Sequence, residues 1–367
     1  GIRGLKHEKS TFFPAQIGQG CTWDKELIYE IGRITGEEAK ALGYTNVYSP
    51  ILDLSRDPRW GRTVESYGED SYLAGELGRQ QVLGIQSNRV VSTPKHFAIY
   101  GIPGGGRDCY SRTDPHASPQ EVHELHLEPF RIAFQEAGAL GTMCSHNDYN
   151  GTPVSASHYL MTELLRNQWG FKGYVVSDSW AIDKNVKFYH IVDTEEEAVA
   201  SELNAGLNVR TFFEQSEVFI EALRRALQKG LVEESTLDQR VREVLYVKFW
   251  LGLFDDPYVK DTKLADKIVN SDKNREVSLR AARESIVLLK NENNTLPLSK
   301  NLKNIAVIGP QADEVKSLTS RYGSHNPNVI TGLQGLKNLL GENVNLMYAK
   351  GCNVRDKNFP QSDVMYF

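Results

Sequence analysis

Residues 173–178 read Gly-Tyr-Val-Val-Ser-Asp, an apolar run of β-branched and aromatic residues that ends in a carboxylate. Similar runs occupy residues 46–52, 89–95, 141–145 and 205–210, and long amphipathic stretches separate them. β-branched and aromatic residues favour strands, and strands that alternate with helical stretches are typical of parallel strands joined by helical crossovers. This alternation places the chain in the α/β class.

Two architectures fit such an alternation, a closed (β/α)8 barrel and an open, doubly wound sheet. The barrel is favoured because no glycine-rich phosphate turn follows the first strand and because polar residues end several strands instead of lining one crevice. About six strands can be identified, fewer than the eight of a complete barrel. We therefore predict an α/β fold with a TIM-like (β/α)8 barrel that lacks its first members.

A change of composition near residue 258 marks the end of the predicted barrel. Residues 259–276 are charged and weakly patterned after a stop rich in Gly, Asp and Pro, as expected of a linker. Residues 277–289 then read as a helix, and residues 304–310 as a buried strand that opens a second α/β unit. The predicted domains are a barrel over 1–258, a linker over 259–276 and the start of an α/β sandwich over 277–367.

The composition excludes several classes of protein. The 367 residues carry 42 Lys and Arg against 47 Asp and Glu, a net charge of −5, so no basic field exists for nucleic acid or an anionic membrane. No run approaches the ~18 consecutive apolar residues of a membrane-spanning helix. The four cysteines lie far apart, which argues against a disulfide scaffold or a zinc ribbon, and the histidines lack zinc-binding spacing. We predict no metal and no other cofactor.

Three places combine residue types that carry chemistry. Asp178 closes a strand, which in a barrel puts its carboxylate at the rim where barrel enzymes react, although an Asp there can also cap the next helix. Residues 55–62 and 65–70 are dense in charge and aromatic rings, which suits a polyhydroxylated ligand or, alternatively, a structural corner of salt bridges. Lys95 and His96 end another strand, and the glycine-rich loop after them lacks the pattern of a phosphate cradle.

With these residues assembled, the chain resembles glycoside hydrolase family 3, the β-glucosidases and β-xylosidases, over nearly its whole length. The motifs that carry the resemblance occur in one order, at 49–62, 65–70, 95–97, 147–151, 173–178 and 248–258. The resemblance implies a (β/α)8-like first domain, an α/β sandwich second domain, and exo-acting, retaining release of a terminal β-linked xylose or glucose. The implied substrate is an oligosaccharide or an aryl or alkyl β-glycoside.

The resemblance also assigns roles to residues. Asp178 matches the family's nucleophile, which forms a glycosyl-enzyme intermediate. Arg62, Lys95 and His96 match residues that bind the hydroxyls of the sugar. His146, Asp57 and Trp180 complete the predicted substrate-binding residues.

Three departures from the family's pattern bear on specificity. His146 stands where the family often has Tyr, and Ser179 stands where many members have Trp, with Trp180 one position later. The run 208–210, Asn-Val-Arg, replaces an acidic run. These departures argue against glucose specificity and favour a xylosidase.

Both ends of the chain indicate a fragment, because it starts without Met and stops soon after the second unit begins. The resemblance places an acidic sugar-binding residue just before Gly1 and the acid/base Glu beyond Phe367. We therefore expect these residues alone to hydrolyse little, since loss of general acid catalysis costs about 10²- to 10⁴-fold. Family relatives are often exported, so we predict a periplasmic or secreted protein; a homo-oligomer is left open.

Three other functions remain open at this stage. A β-N-acetylhexosaminidase could use Asp114 and His116 as its acid/base pair. A catalytically impaired, sugar-binding fragment would keep the binding residues without turnover. A metal-dependent barrel hydrolase is compatible with the fold alone.

Overall fold

The computed structural model describes residues 10–101, 114–211, 215–299, 301–315 and 329–354. The chain divides into two compact units, one over residues 13–285 and one formed by the described parts of 1–12 and 286–367. The domain limits drawn from the sequence at residues 258 and 276 stay a prediction. Most of the predicted glycine-rich loop, residues 102–108, lies outside the described residues.

The strands are short. They are β1 Asn46–Val47, β2 Val91–Ser92, β3 Lys95–Phe97, β4 Gly141–Cys144, β5 Asp148–Tyr149, β6 Thr152–Pro153, β7 Tyr174–Val176, β8 Asn304–Ile308 and β9 Asn345–Ala349.

The parallel strands of the first unit follow one another around a single wall, whereas β5 and β6 form a separate antiparallel pair. β1 pairs in parallel with β2, β3 with β4, and β4 with β7. A parallel bridge from Ile51 to Lys95 joins the first run to β3, and another from Val176 to Val209 joins β7 to the run 205–210. Each run thus lies beside the next one in the sequence, whereas the strand order of a doubly wound sheet reverses at a switch point. This order is the one expected of a barrel wall.

Helical segments join the strands. The α-helices are α1 Gln16–Gly20, α2 Lys25–Ala41, α3 Ser71–Gln86, α4 Pro119–Glu121, α5 Glu128–Arg131, α6 Ala181–Lys187, α7 Glu195–Ala205, α8 Ser216–Gln228, α9 Glu234–Leu251, α10 Leu264–Ile268, α11 Asp272–Glu284 and α12 Gly332–Leu340. Turns of π type cover Val122–His126, Ile132–Glu136 and Tyr159–Gln168. Turns of 3₁₀ type cover Pro58–Trp60, Thr63–Glu65, Val154–Ala156, Glu292–Asn294, Pro310–Asp313 and Gly341–Asn343.

Two helix starts follow the sequence signals. The Ser118 side chain accepts a hydrogen bond from the backbone N–H of Glu121, with Pro119 in the first turn. Thr194 and Glu197 form a complete capping box at the start of α7. Both caps satisfy backbone N–H groups that a helix leaves without partners at its first turn.

The closest helix contact joins α2 and α3. The apolar face of α2 is buried, including Leu27, Ile28, Ile31 and Ile34. The two backbones approach so closely at Gly84 that a Cβ atom there would lie 2.3 Å from the carbonyl oxygen of Tyr29. Glycine at this crossing lets the helices pack backbone to backbone.

Aromatic side chains pack around Phe97 of β3. Phe97 is buried, with ring centroids 5.4 Å from Phe130, 6.0 Å from Phe134 and 6.1 Å from Trp169. Rings at these separations add packing energy beyond the apolar area that they bury. Because neighbouring strand residues point in opposite directions, anchoring Phe97 orients His96 toward the other face.

The second unit contains a parallel pair, β8 and β9, with Asn304 opposite Asn345. β8 confirms a strand within 304–310, apart from the last residues, but the expectation that it is buried is wrong, since Ile308 is 71% exposed. The helix expected over 277–289 is wrong in its limits, because α11 covers Asp272–Glu284 and lies in the first unit. Its start is fixed by the Ser271 side chain, which accepts from the backbone N–H of Asn274.

Among the residues described, no helix has the length and apolar character needed to cross a membrane.

Candidate active site

The candidate site gathers side chains from the C-terminal ends of neighbouring parallel strands. Asp53 lies two residues after the Ile51 bridge, His96 lies in β3, His146 lies two residues after β4, and Asp178 lies two residues after β7. Side chains at this edge of a barrel converge on one place, although they are far apart in the sequence. Their distances show how they interact.

Asp178 lies at the centre of this group. Its Oδ2 is 3.1 Å from Nε2 of His146 and 3.7 Å from Nε2 of His96, and its Oδ1 accepts the backbone N–H of Ser179 at 2.7 Å. Burial alone would raise the pKa of Asp178, but His146, through its hydrogen bond, and the charge of Arg62 hold it well below its usual value. The side chain is 16% exposed. It is therefore an ionised carboxylate that a ligand can reach.

His96 is held on both ring nitrogens. Its Nδ1 lies 2.7 Å from Oδ2 of Asp53, which also accepts the backbone N–H of His96 at 3.2 Å. Its Nε2 lies 3.1 Å from Nη1 of Arg62, a group that can only donate. Burial lowers the pKa of His96 well below its usual value and Arg62 lowers it further, while Asp178 acts in the opposite direction. His96 is thus a neutral imidazole that donates to Asp53 and accepts from Arg62.

Arg62 is fixed by a buried carboxylate. Its Nε and Nη2 donate to the two oxygens of Glu65 at 3.0 and 2.8 Å. The guanidinium carbon lies 5.7 Å from the ring centroid of Tyr100, whose ring is also 4.9 Å from that of His96. These contacts hold the positive charge of Arg62 in one place at the site. Burial raises the pKa of Asp53, the other partner of His96, to about 8.

His146 is the second imidazole beside Asp178. Nζ of Lys184 lies 3.1 Å from its Nδ1, and the hydroxyl of Tyr189 donates to its backbone carbonyl oxygen. All of these side chains are buried or nearly so. The residue that departs from the family's usual Tyr is therefore an integral part of the site.

The remaining predicted residues lie at different places. Lys95 is buried next to His96, with Nζ 5.8 Å from the centroid of the Tyr48 ring. Asp57 caps the turn Pro58–Trp60 and pairs with Arg59 at 2.9 Å, and the structure records no contact between Asp57 and Asp178. Trp180 precedes α6 with a φ of 62°. A sugar contact for each of them stays a prediction.

The sequence analysis missed three residues that shape the site, namely Asp53, Tyr100 and Lys184, and it included Glu65 only as part of the charged segment 65–70. Asp53 carried a usable signal, since Ile-Leu-Asp repeats the pattern of an apolar run ending in a carboxylate. Tyr100 and Lys184 have no local pattern that separates them from core packing or surface charge.

The run 208–210, which departs from the family's pattern, has structural partners. Oδ1 of Asn208 accepts from Nη2 of Arg166 and from the backbone N–H of Val175, each at 2.8 Å. Arg210 donates to both oxygens of Asp183 in α6, at 3.1 and 3.0 Å. These residues hold the segment after Asp178 in place.

The alternative acid/base pair joins an exposed histidine to a carboxylate that is 17% exposed. The His116 side chain is 88% exposed, and its Nδ1 is 3.5 Å from Oδ1 of Asp114. Asp114 accepts the backbone N–H groups of His116 and Gly151 at 2.8 and 3.3 Å. Within the described part of the chain, no cluster of three or more His, Cys, Asp or Glu side chains could hold a metal ion.

Family models match both parts of the chain. The Glycosyl hydrolase family 3 N terminal domain matches residues 1–247, and the Glycosyl hydrolase family 3 C-terminal domain matches residues 286–365.

Characterised relatives are similar across most of the chain. A periplasmic beta-glucosidase of Salmonella typhimurium is 36% identical over 361 residues, which cover 95% of this chain and 46% of that protein. A beta-xylosidase of Formosa agariphila is 35% identical over 371 residues, which cover 94% of this chain and 50% of that protein. The chain thus spans about half the length of the curated relatives it matches.

Solved structures of glycosidases are also similar across most of the chain. A beta-glucosidase involved in saponin metabolism, from intestinal bacteria, matches with a TM-score of 0.87 at 31% identity and covers 97% of this chain and 48% of its own. An exo-beta-xylosidase in complex with a xylobiose aziridine probe matches with a TM-score of 0.85 at 28% identity, covering 96% and 47%. These similarities confirm the predicted fold class, a TIM-like barrel followed by an α/β sandwich domain.

Proposed function

This chain belongs to glycoside hydrolase family 3, and we propose that it acts as a retaining, exo-acting β-glycosidase that releases a terminal β-linked xylose or glucose. The observation that carries the proposal is the state of Asp178, an ionised, partly exposed carboxylate at the end of a barrel strand. A carboxylate of this kind is the nucleophile that retaining hydrolysis needs.

The reaction proceeds in two displacements. In the first, an oxygen of Asp178 forms a bond to the anomeric carbon while the bond from that carbon to the leaving oxygen breaks, and the leaving oxygen takes the electron pair and a proton from a general acid. In the second, water attacks the same carbon, loses a proton to the conjugate base, and Asp178 departs as carboxylate. Two inversions leave the configuration of the sugar unchanged. The acid/base Glu implied by the family resemblance stays a prediction.

The surrounding side chains support a sugar ligand. Arg62 supplies a positive donor that Glu65 holds in place, Lys95 is buried next to His96, and the neutral His96 is held between Asp53 and Arg62. Charged donors bind sugar hydroxyls by charge-assisted hydrogen bonds, which are stronger than neutral ones. We assign the sugar of the cleaved bond to this group, with His146 and Trp180 at its edge, and the departures at His146 and Ser179 favour xylose over glucose.

The competing functions have less support. Asp114, the carboxylate of the alternative acid/base pair, is engaged by two backbone N–H groups, and His116 faces solvent. The relatives cited above are named as glucosidases and xylosidases rather than hexosaminidases. We also propose that the protein is exported, by analogy with its periplasmic relative.

Covalent trapping tests the proposal without a general acid. The chain is incubated with 2,4-dinitrophenyl 2-deoxy-2-fluoro-β-xyloside or the matching glucoside, whose leaving group departs without protonation and whose fluorine slows hydrolysis of the intermediate. We expect the intact mass to increase by one fluoroglycosyl group, located on Asp178 by peptide mapping and absent in Asp178→Asn. A folded wild-type chain that neither reagent labels would overturn the proposal. Faster turnover of the dinitrophenyl N-acetylglucosaminide than of either parent glycoside would favour the hexosaminidase.

A further inference from the structure

A buried lysine lies next to His146 and has no part in the reaction described above. Lys184, in the middle of α6, is 2% exposed. Lysine is almost never fully buried unless its ammonium group is paired. Its Nζ lies 3.1 Å from Nδ1 of His146, the imidazole that contacts Asp178 through its other nitrogen.

The chain segment from Asp178 to Tyr189 contacts His146 at three points. Asp178 Oδ2 meets Nε2 at 3.1 Å, Lys184 meets Nδ1 at 3.1 Å, and the hydroxyl of Tyr189 donates to the backbone carbonyl oxygen. α6 is also tied to the next run of the barrel wall, residues 205–210, because Asp183 accepts two hydrogen bonds from Arg210. Lys184 therefore presents its ammonium group from a helix that these hydrogen bonds hold in place.

The two ring contacts decide where the imidazole proton lies. An ammonium group has three donors and no acceptor, so Nδ1 of His146 must accept from Lys184. The proton of the neutral ring then lies on Nε2 and points at Oδ2 of Asp178. The opposite tautomer would set a proton of Nδ1 against the ammonium protons and a lone pair of Nε2 against the carboxylate. Both contacts select the same tautomer, as the hydrogen bond on one ring nitrogen commonly does for the other.

We propose that Lys184 is a positioning residue that fixes His146 as the tautomer protonated at Nε2, so that His146 donates a hydrogen bond to the nucleophile Asp178. Lys184 acts through His146 and does not touch the sugar. The catalytic consequence rests on the function proposed above, whereas the tautomer of His146 does not.

Nitrogen NMR of the imidazole tests the tautomer directly. In the chain labelled with ¹⁵N-histidine, we expect Nδ1 of His146 to resonate as an unprotonated ring nitrogen and Nε2 as a protonated one; the signals are assigned from their absence in His146→Phe. In Lys184→Met, which keeps the stem and removes the donors, the signals should move toward a mixture of tautomers. Lys184→Arg, which keeps a positive donor, should retain the native pattern. A wild-type His146 protonated at Nδ1 would overturn the proposal, even if every Lys184 variant failed to fold.

Trapping kinetics test the catalytic consequence. With the dinitrophenyl fluoroglycoside, Lys184→Met should lower the maximal rate of inactivation, kinact, by about 10- to 100-fold, the range seen when a partner that orients a metal-binding histidine is removed. The inhibition constant KI should change much less than kinact, because Lys184 itself does not touch the sugar. Lys187→Met is the matched control, since Lys187 lies in the same helix with its side chain 55% exposed. A Lys184→Met variant with native tautomer and native kinact would overturn the proposal.

The two measurements separate two kinds of failure. If the wild-type chain is not labelled at all, the proposed function fails, while the NMR signals still decide whether Lys184 sets the tautomer. If labelling occurs on Asp178 but Lys184→Met matches the Lys187→Met control in both measurements, the positioning role alone fails.

Discussion

Arg62 and Glu65 form a two-pronged ion pair inside the protein, with Nε to Oε1 at 3.0 Å and Nη2 to Oε2 at 2.8 Å. The side chains are 7% and 1% exposed. Since Nη1 of the same guanidinium reaches Nε2 of His96 at 3.1 Å, the pair also fixes the ring beside the nucleophile. Glu65 thereby connects the stability of the barrel edge to the position of His96 beside Asp178.

Replacing Glu65 should therefore be costly. Glu65→Ala leaves the guanidinium of Arg62 buried without its carboxylate, and we expect the free energy of unfolding to fall by about 3–5 kcal/mol. Glu30→Ala is the control, since Glu30 pairs with Arg33 at 2.9 Å on the surface and should contribute about 0–1 kcal/mol. Urea denaturation measures both variants. Equal losses in the two would show that the buried pair has no special role.

His146 should set the pH at which Asp178 becomes reactive. His146→Phe removes the hydrogen bond that lowers the pKa of Asp178, so this pKa should rise. A hydrogen bond to a charged group contributes about 1.5–3 kcal/mol, which corresponds to about one to two pH units. The acid limb of kinact for the fluoroglycoside should move to higher pH by that amount. His158→Phe, a surface change, should leave the limb in place, and an unmoved limb in His146→Phe would refute the prediction.

The order of the barrel strands could be predicted because each run carries its own signal. The runs ending at residues 52, 95, 145, 178 and 210 are apolar, short and bounded by polar residues, and neighbouring parallel strands in a barrel follow sequence order. Asp178 and His96 were predictable for the same reason, because they end such runs.

The contacts between these ends could not be predicted. Asp53 and His96 are separated by 43 residues, and Lys184 and His146 by 38, so their pairing depends on strand register and on the angle of α6. In the sequence, Lys184 and Lys187 look alike, yet one is buried against an imidazole and the other is exposed. Burial of a charged residue depends on packing that no local pattern encodes.

Glu202 should make the protein less stable as the pH rises. It is 0% exposed in α7, where Asn185 donates to its Oε1 at 2.8 Å, and burial raises its pKa to about 8. Between the usual pKa of a glutamate, about 4.3, and that value, the folded state binds more protons than the unfolded state, so stability falls with rising pH. Glu202→Gln should therefore lose less stability between pH 5 and pH 8 than the wild-type chain, as thermal unfolding at several pH values would show.

A control from the same helix isolates this effect. Glu196 pairs with Lys229 and Arg225, which hold its pKa at about 2, so its contribution is lost only toward low pH. Glu196→Gln should keep the wild-type fall between pH 5 and pH 8. Asp53, whose pKa burial also raises, leaves part of the fall in both variants. An unchanged pH dependence in Glu202→Gln would contradict the assignment.

Two glycines should respond to alanine with opposite signs. At Gly84 the new Cβ would lie 2.3 Å from the carbonyl oxygen of Tyr29 and 2.7 Å from the backbone nitrogen of Arg33, so α2 and α3 must move apart. Such overpacking costs about 1–3 kcal/mol, more than the ~0.5–1 kcal/mol that alanine gains over glycine in a helix. At Gly18 in α1 the nearest atoms would be 3.5 Å away, an ordinary contact, so the helical gain remains. Denaturation of Gly84→Ala and Gly18→Ala should give a loss and a gain of stability, and a gain in both would mean that the close crossing of α2 and α3 does not exist in solution.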